Sequence, residues 1–181
     1  QGVFLYPVLN NVIYAVLPMV FRFGNAVIDI DIEKTSAFYR SSRIITDDCS
    51  CEGCQNFVAG AEKLDFEILE FFQKLGIDIL KPAEIIAWYS EDNGTSVHYG
   101  GWNHICGQLI SDMDCWSLET DNNGATHQSL NESNFFSVTD NFSVGFTNTI
   151  YLKDNDFPEP VVQMEILIHH FPWVLNTTNK Y

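Results

Sequence analysis

The run Glu84-Ile85-Ile86-Ala87-Trp88-Tyr89-Ser90-Glu91-Asp92-Asn93-Gly94-Thr95-Ser96-Val97-His98-Tyr99-Gly100-Gly101-Trp102-Asn103-His104-Ile105-Cys106-Gly107-Gln108-Leu109-Ile110 settles the architecture of this chain. Ile85 to Tyr89 reads as a strand. Glu91-Asp92-Asn93-Gly94 reads as a tight hairpin turn, because Asn-Gly tolerates the positive φ angles that such turns need. The return strand starts near Ser96, and Gly100-Gly101 marks a bulge or a close approach of backbones. Trp102 to Ile110 continues it, with Trp102, His104, Cys106 and Gln108 on one face. Two consecutive strands joined by so short a turn must run antiparallel.

Working outward, Phe21 to Ile32 reads as one strand, with Ala26, Ile28, Ile30 and Ile32 facing one way and Asn25, Asp29 and Asp31 the other. Asp31 then caps a helix over 33–40 that buries Ala37, Phe38 and Tyr39. Two more helices follow, about 52–63 with Phe57, Val58 and Ala61 inward, and about 66–75 with Ile68, Leu69, Phe72 and Leu75 inward. Asp65 caps the second, and Gly76 ends it. Beyond the hairpin, residues 111–134 are polar and rich in turn residues, with Trp116 and Leu118 in a short strand. Residues 142–152 and 161–170 alternate as strands; His169 and His170 then fall on opposite faces. The expected fold class is α+β: a mostly antiparallel β-sheet of five to seven strands, with two or three helices inserted after the first strand and packed on one face. Residues 1–20 form an apolar arm, either added core or a cover for a neighbouring subunit, and 21–181 a single domain.

Composition narrows the function classes. Apolar residues make up 46% of the 181, and 14 Phe, 7 Tyr and 4 Trp supply ample core anchors, which argues against disorder. The formal charge of −15, from 24 acids against 9 bases, repels phosphate backbones and anionic bilayers, so neither nucleic acid nor membrane is an expected partner. The apolar first twenty residues lack a basic start and contain Pro7 and Pro18, unlike a signal peptide or a spanning helix. Five cysteines are too few and too uneven for a disulfide scaffold, so a cytoplasmic protein is expected.

Three of those cysteines lie in Asp47-Asp48-Cys49-Ser50-Cys51-Glu52-Gly53-Cys54, a C-x-C-x2-C spacing at a helix entrance. Cys49, Cys51 and Cys54 can supply three sulfurs to a tetrahedral zinc ion, with Cys106 the preferred fourth donor and His104 or Cys115 as alternatives. Against this stands the plainer possibility of three reduced, packed thiols. An iron–sulfur cluster lacks a second cysteine group, and a redox pair Cys51/Cys54 lacks its βαβ context. Asp47, Asp48 and Glu52 disfavour thiolates unless they point away, so a metal-free reactive thiol is not expected.

No metalloprotease spacing, nucleophile elbow or phosphate loop is present. The first functional expectation is therefore a non-enzymatic structural or partner-binding protein, stapled by structural zinc or by packing alone, with an unidentified protein partner or self-association. The second is a small-molecule binder or hydrolase-like enzyme with a cleft near Trp102, His104, Asp112 and Asp114.

Several motifs occur together: Asp31-Ile-Glu-Lys-Thr35, Phe38-Tyr39, Cys49-x-Cys51-x2-Cys54-x-Asn56-Phe57, Leu75-Gly76-Ile77-Asp78, Lys81-Pro82-Ala83-Glu84, Tyr99-Gly100-Gly101-Trp102 and Asp140-Asn-Phe142-Ser-Val144. Over residues 21–175 the chain resembles a group of small bacterial proteins, mainly of Firmicutes, that has no assigned activity. That resemblance implies a bacterial cytoplasmic origin and carries over no catalytic residues.

Overall fold

The structure, a computed structural model, describes residues 19–89 and 94–181. The expected N-terminal arm lies outside these apart from Met19 and Val20, as do the turn residues Glu91, Asp92 and Asn93.

The fold is α+β. A seven-stranded antiparallel sheet has the order β1-β2-β4-β9-β8-β7, with β3 on the same side of β4 as β2. Its strands are β1 (Met19–Phe23), β2 (Ala26–Ile30), β3 (Glu84–Trp88), β4 (Ser96–Leu109), β7 (Phe136–Thr139), β8 (Phe142–Thr147) and β9 (Val161–Pro172). A separate hairpin pairs β5 (Trp116–Thr120) with β6 (Thr126–Leu130). The helices are α1 (Ile32–Ser41), α2 (Glu52–Gly60) and α3 (Phe66–Lys74).

The single strand expected over 21–32 is in fact a hairpin. Phe23 pairs with Ala26 around Gly24-Asn25, and Gly24 takes φ 58°. Glycine in the first central position suits a two-residue reversal. The facing pattern survives, because Ala26, Ile28 and Ile30 are all buried.

Successive residues of β4 point to opposite faces. Tyr99 reaches the helices, donating to the Gly53 carbonyl at 2.7 Å and accepting from Asn56 at 3.2 Å. Phe57 packs on Tyr99 and Phe171, and Phe71 and Phe72 pack on Phe142. Helices α2 and α3 therefore cover one face of the sheet, with the core between.

The long strand β4 has an incomplete edge. β3 pairs with it from His98 to Trp102, and β2 only from Gly107 to Leu109. Helix α1 fills the gap. The Tyr39 hydroxyl donates to the His104 carbonyl at 3.0 Å and accepts from the His104 amide at 3.2 Å. Thr35 Oγ1 accepts from the Cys106 amide at 3.0 Å, and the Asp31 amide donates to the Cys106 carbonyl at 2.8 Å. Two side chains and one cap residue thus stand in for a missing strand, as buried backbone polar groups require. This explains the burial on α1: Thr35 and Tyr39 are fully inside, whereas Ala37, expected inside, is exposed.

Gly101 and Gly107 mark close approaches of backbone. A Cβ at Gly101 would lie 2.2 Å from the Glu84 carbonyl oxygen, and one at Gly107 would lie 2.1 Å from that of Asp29. The bulge in β4's pairing lies elsewhere, between Val97 and Tyr99 against β9. Strand β8 stops at Thr147, short of the expected residue 152, and Leu152 is 67% exposed.

Candidate metal centre

Cys51 is the N-cap of α2, with an extended backbone that turns its side chain back over the first turn of the helix. Its sulfur accepts the Cys54 amide hydrogen at 3.4 Å, and Cys49 Sγ lies 3.3 Å from it. The three sulfurs of Cys49, Cys51 and Cys54 all lie within 4.8 Å of one another, close enough to share one metal ion. Cys54 is buried, Cys49 half-buried and Cys51 exposed, so the group opens to solvent on one side. All three are free thiols.

The three neighbouring acids are paired with two cations. Arg43 pairs with Asp48 at 2.9 Å and with Asp47 at 3.7 Å, and Lys180 pairs with Glu52 at 3.2 Å. Burial alone would raise the Cys51 thiol. The Cys54 amide, the flanking cysteines and the Gly53 amide outweigh it and bring that thiol below its ordinary value. Cys54 moves the other way, raised by burial and then by the two neighbouring sulfurs. Arg43 and Lys180 thus draw the three acids into ion pairs, and the amides at the helix entrance lower the Cys51 thiol. A dication among the sulfurs would lower all three thiols together.

Tyr181 closes the site from the C-terminal side. Its hydroxyl accepts the Gly53 amide at 3.2 Å, and Trp173 packs against its ring. Burial raises the phenol.

Cys106 does not join the group. It lies seven residues along β4 from Tyr99, roughly 23 Å at strand rise, on the opposite face of the sheet. Its sulfur faces the Glu159 carbonyl at 3.7 Å, and burial raises its thiol. As a fourth donor it is out of reach. Cys115 is likewise buried away from the cluster, its amide bonded to the Phe146 carbonyl at 2.9 Å.

The second expected site is not assembled either. His104 is 3% exposed and lines a cleft of about 430 Å³ with Phe38, Tyr39, Arg43, Lys81 and Leu152. Its Nε2 has no hydrogen-bond partner, and burial lowers its pKa against the opposing influence of Gln163 and the Tyr151 carbonyl. Asp112 is exposed. Asp114 accepts from Thr147 at 3.0 Å and from the Trp116 amide at 2.8 Å. Gln163 pairs with both His104 and Thr147, so two strand spacings, about 10 Å, separate His104 from the Asp114 corner. Trp102 donates to the Tyr151 carbonyl at 3.1 Å.

What occupies that face instead is a buried polar belt that sequence reasoning missed. Glu165, 4% exposed, accepts from Trp116 Nε1 at 2.9 Å and from Gln163 Nε2 at 2.6 Å. Burial raises its carboxyl above the ordinary range. The polar Gln163 and Glu165 alternate with Val162, Met164 and Ile166, the pattern of a solvent-facing side; nothing local shows that Tyr151 and Trp116 of β5 engage them.

No family model, curated protein or solved structure matches the chain. Among the described residues no helix is long and apolar enough to cross a membrane.

Proposed function

We propose that this protein is a non-catalytic binding module in which a structural zinc ion, held by Cys49, Cys51 and Cys54, fastens the entrance of α2 to the loop before it. One observation carries this reading: three sulfurs gathered within 4.8 Å, with the adjacent acids drawn into ion pairs with Arg43 and Lys180. Soft thiolates select zinc over hard cations. The fourth position faces solvent beside exposed Cys51, where water or a donor from a protein partner or a second copy completes the tetrahedron. Among the described residues no histidine or carboxylate hydrogen-bonds to these sulfurs, which favours a clasp over a reaction centre. The reading requires reduced thiols, as in a cytoplasmic setting.

The test is elemental analysis of protein purified without added metal, with thermal melting in the presence and absence of a chelator. About one zinc per chain is expected. At a zinc activity one hundred times the dissociation constant, binding adds about 2.7 kcal/mol. Chelation should then lower Tm by roughly 5–10 °C, and Cys54→Ser should reproduce the loss. A metal ratio near zero together with a chelator-insensitive Tm overturns the proposal.

A further inference from the structure

Thiols close enough to share an ion are also close enough to bond to one another, and the structure distinguishes among the possible pairs. Cys49 Sγ and Cys51 Sγ stand 3.3 Å apart. Closing that gap to a disulfide bond of about 2.05 Å takes about 1.3 Å of travel. Solvent access separates off the third sulfur. Cys51 is exposed and Cys49 half-buried, whereas Cys54 is 2% exposed. A dissolved oxidant therefore meets Cys51 first and Cys54 last.

The backbone points the same way. Cys49, Ser50 and Cys51 precede α2 and belong to no helix or strand, so small torsional changes can bring the first and last together. Cys54 lies within the first turn of α2, with its amide given to Cys51 Sγ at 3.4 Å. Sequence spacing singles out Cys51 and Cys54 as a redox pair; access and mobility favour Cys49 as the partner of Cys51. Charge narrows the oxidant. The chain carries −15, with Asp47, Asp48 and Glu52 beside the loop, so anionic oxidants are repelled and a neutral one is not.

We propose that Cys49 and Cys51 are a reversible oxidation site for a neutral peroxide, closing to a disulfide that leaves Cys54 as a thiol. In the first step the Cys51 sulfur attacks one peroxide oxygen. An S–O bond forms, the O–O bond breaks, and the thiol proton leaves with the other oxygen as water. In the second step Cys49 attacks the resulting sulfenic acid: the S–S bond forms, the S–O bond breaks, and a second water departs. Two thiols give up two electrons and two protons, and one hydrogen peroxide becomes two waters. A reducing thiol reverses the change by exchange. The consequence for the clasp rests on the zinc reading: the disulfide removes two of its three sulfur ligands, and the ion is released. The disulfide itself needs no zinc.

The experiment treats the whole chain, reduced and stripped of metal by a chelator, with equimolar hydrogen peroxide. Remaining thiols are blocked with iodoacetamide in denaturant. The disulfide is then reduced, its cysteines are labelled with N-ethylmaleimide, and tandem mass spectrometry reads each position. The oxidised chain should lose the mass of two hydrogens, with maleimide on Cys49 and Cys51 and iodoacetamide on Cys54. Cys49→Ser should stop at a Cys51 sulfenic acid that dimedone traps. Cys54→Ser removes a zinc ligand but should form the same disulfide, with circular dichroism confirming its fold. Maleimide on Cys54, a bond between chains, or no disulfide in folded wild type or folded Cys54→Ser overturns the proposal. The zinc reading is judged apart from this, by the metal ratio. Zinc-loaded protein should release one zinc per disulfide formed, read with a colorimetric indicator; a disulfide that forms in protein binding no zinc removes the clasp and leaves the oxidation site standing.

Discussion

Replacing Tyr39 by Phe removes a single oxygen and tests how the open edge of β4 is sealed. In β4 the even-numbered residues turn their backbone groups away from β9: Trp102 takes the Ala83 amide, Cys106 takes Thr35 and Asp31, and His104 depends on the Tyr39 hydroxyl for both its amide and its carbonyl. Asn103 Nδ2 contacts the same oxygen at 3.4 Å. Tyr39 is 4% exposed, so the variant leaves two backbone groups of His104 buried without partners. At about 1–3 kcal/mol for each orphaned group, and allowing for some relaxation, the loss should be about 2–4 kcal/mol. That is a large share of a total stability of about 5–15 kcal/mol. Urea unfolding, with a slope of about 1–3 kcal/mol/M, should show the midpoint falling by about 1–2 M at unchanged slope. Tyr151→Phe is the control, because its hydroxyl meets Gln128 on the exposed surface; its shift should stay within about 0.5 kcal/mol. If Tyr39→Phe shifts the midpoint no more than Tyr151→Phe does, α1 does not stand in for a strand.

Further outcomes follow from other parts of the fold. Gly107→Ala puts a Cβ 2.1 Å from the Asp29 carbonyl oxygen and should abolish soluble expression or cost more than about 3 kcal/mol, whereas Gly124→Ala, at φ 81° in open space, should cost only about 1 kcal/mol in the same urea assay. Phe57→Ala, fully buried between Tyr99 and Phe171, should cost about 3–5 kcal/mol by chemical denaturation. Glu165 has its folded pKa raised by burial, so the native state holds that proton more tightly than the unfolded chain does. Its stabilising contribution is complete below the ordinary value of 4.5 and is lost as pH rises through the folded value. Melting temperatures across that window should therefore fall less steeply in Glu165→Gln than in wild type, and equal slopes would refute the assignment.

The sequence by itself determined the antiparallel sheet, the helical insertion and the three-cysteine loop, because each is a local matter. Alternation along 26–30 and 161–168 fixes which side chains face the core, and Asp31 and Gly76 mark helix ends through capping and left-handed geometry. Cys49, Cys51 and Cys54 span only six residues, so a single turn of backbone suffices to gather them. What lies between distant segments was decided only in three dimensions. Cys106 looked like a fourth ligand on spacing alone, but strand rise carries it away from α2. His169 and His170 looked divergent until a bulge, set by pairing with β4, turned them both toward His98. Gln163 and Glu165 carry the alternation of an exposed face and became interior because Tyr151 and Trp116 of β5 meet them there. A period of two tells which residues share a side of a strand; only the packed chain tells whether that side meets water, protein or a metal ion.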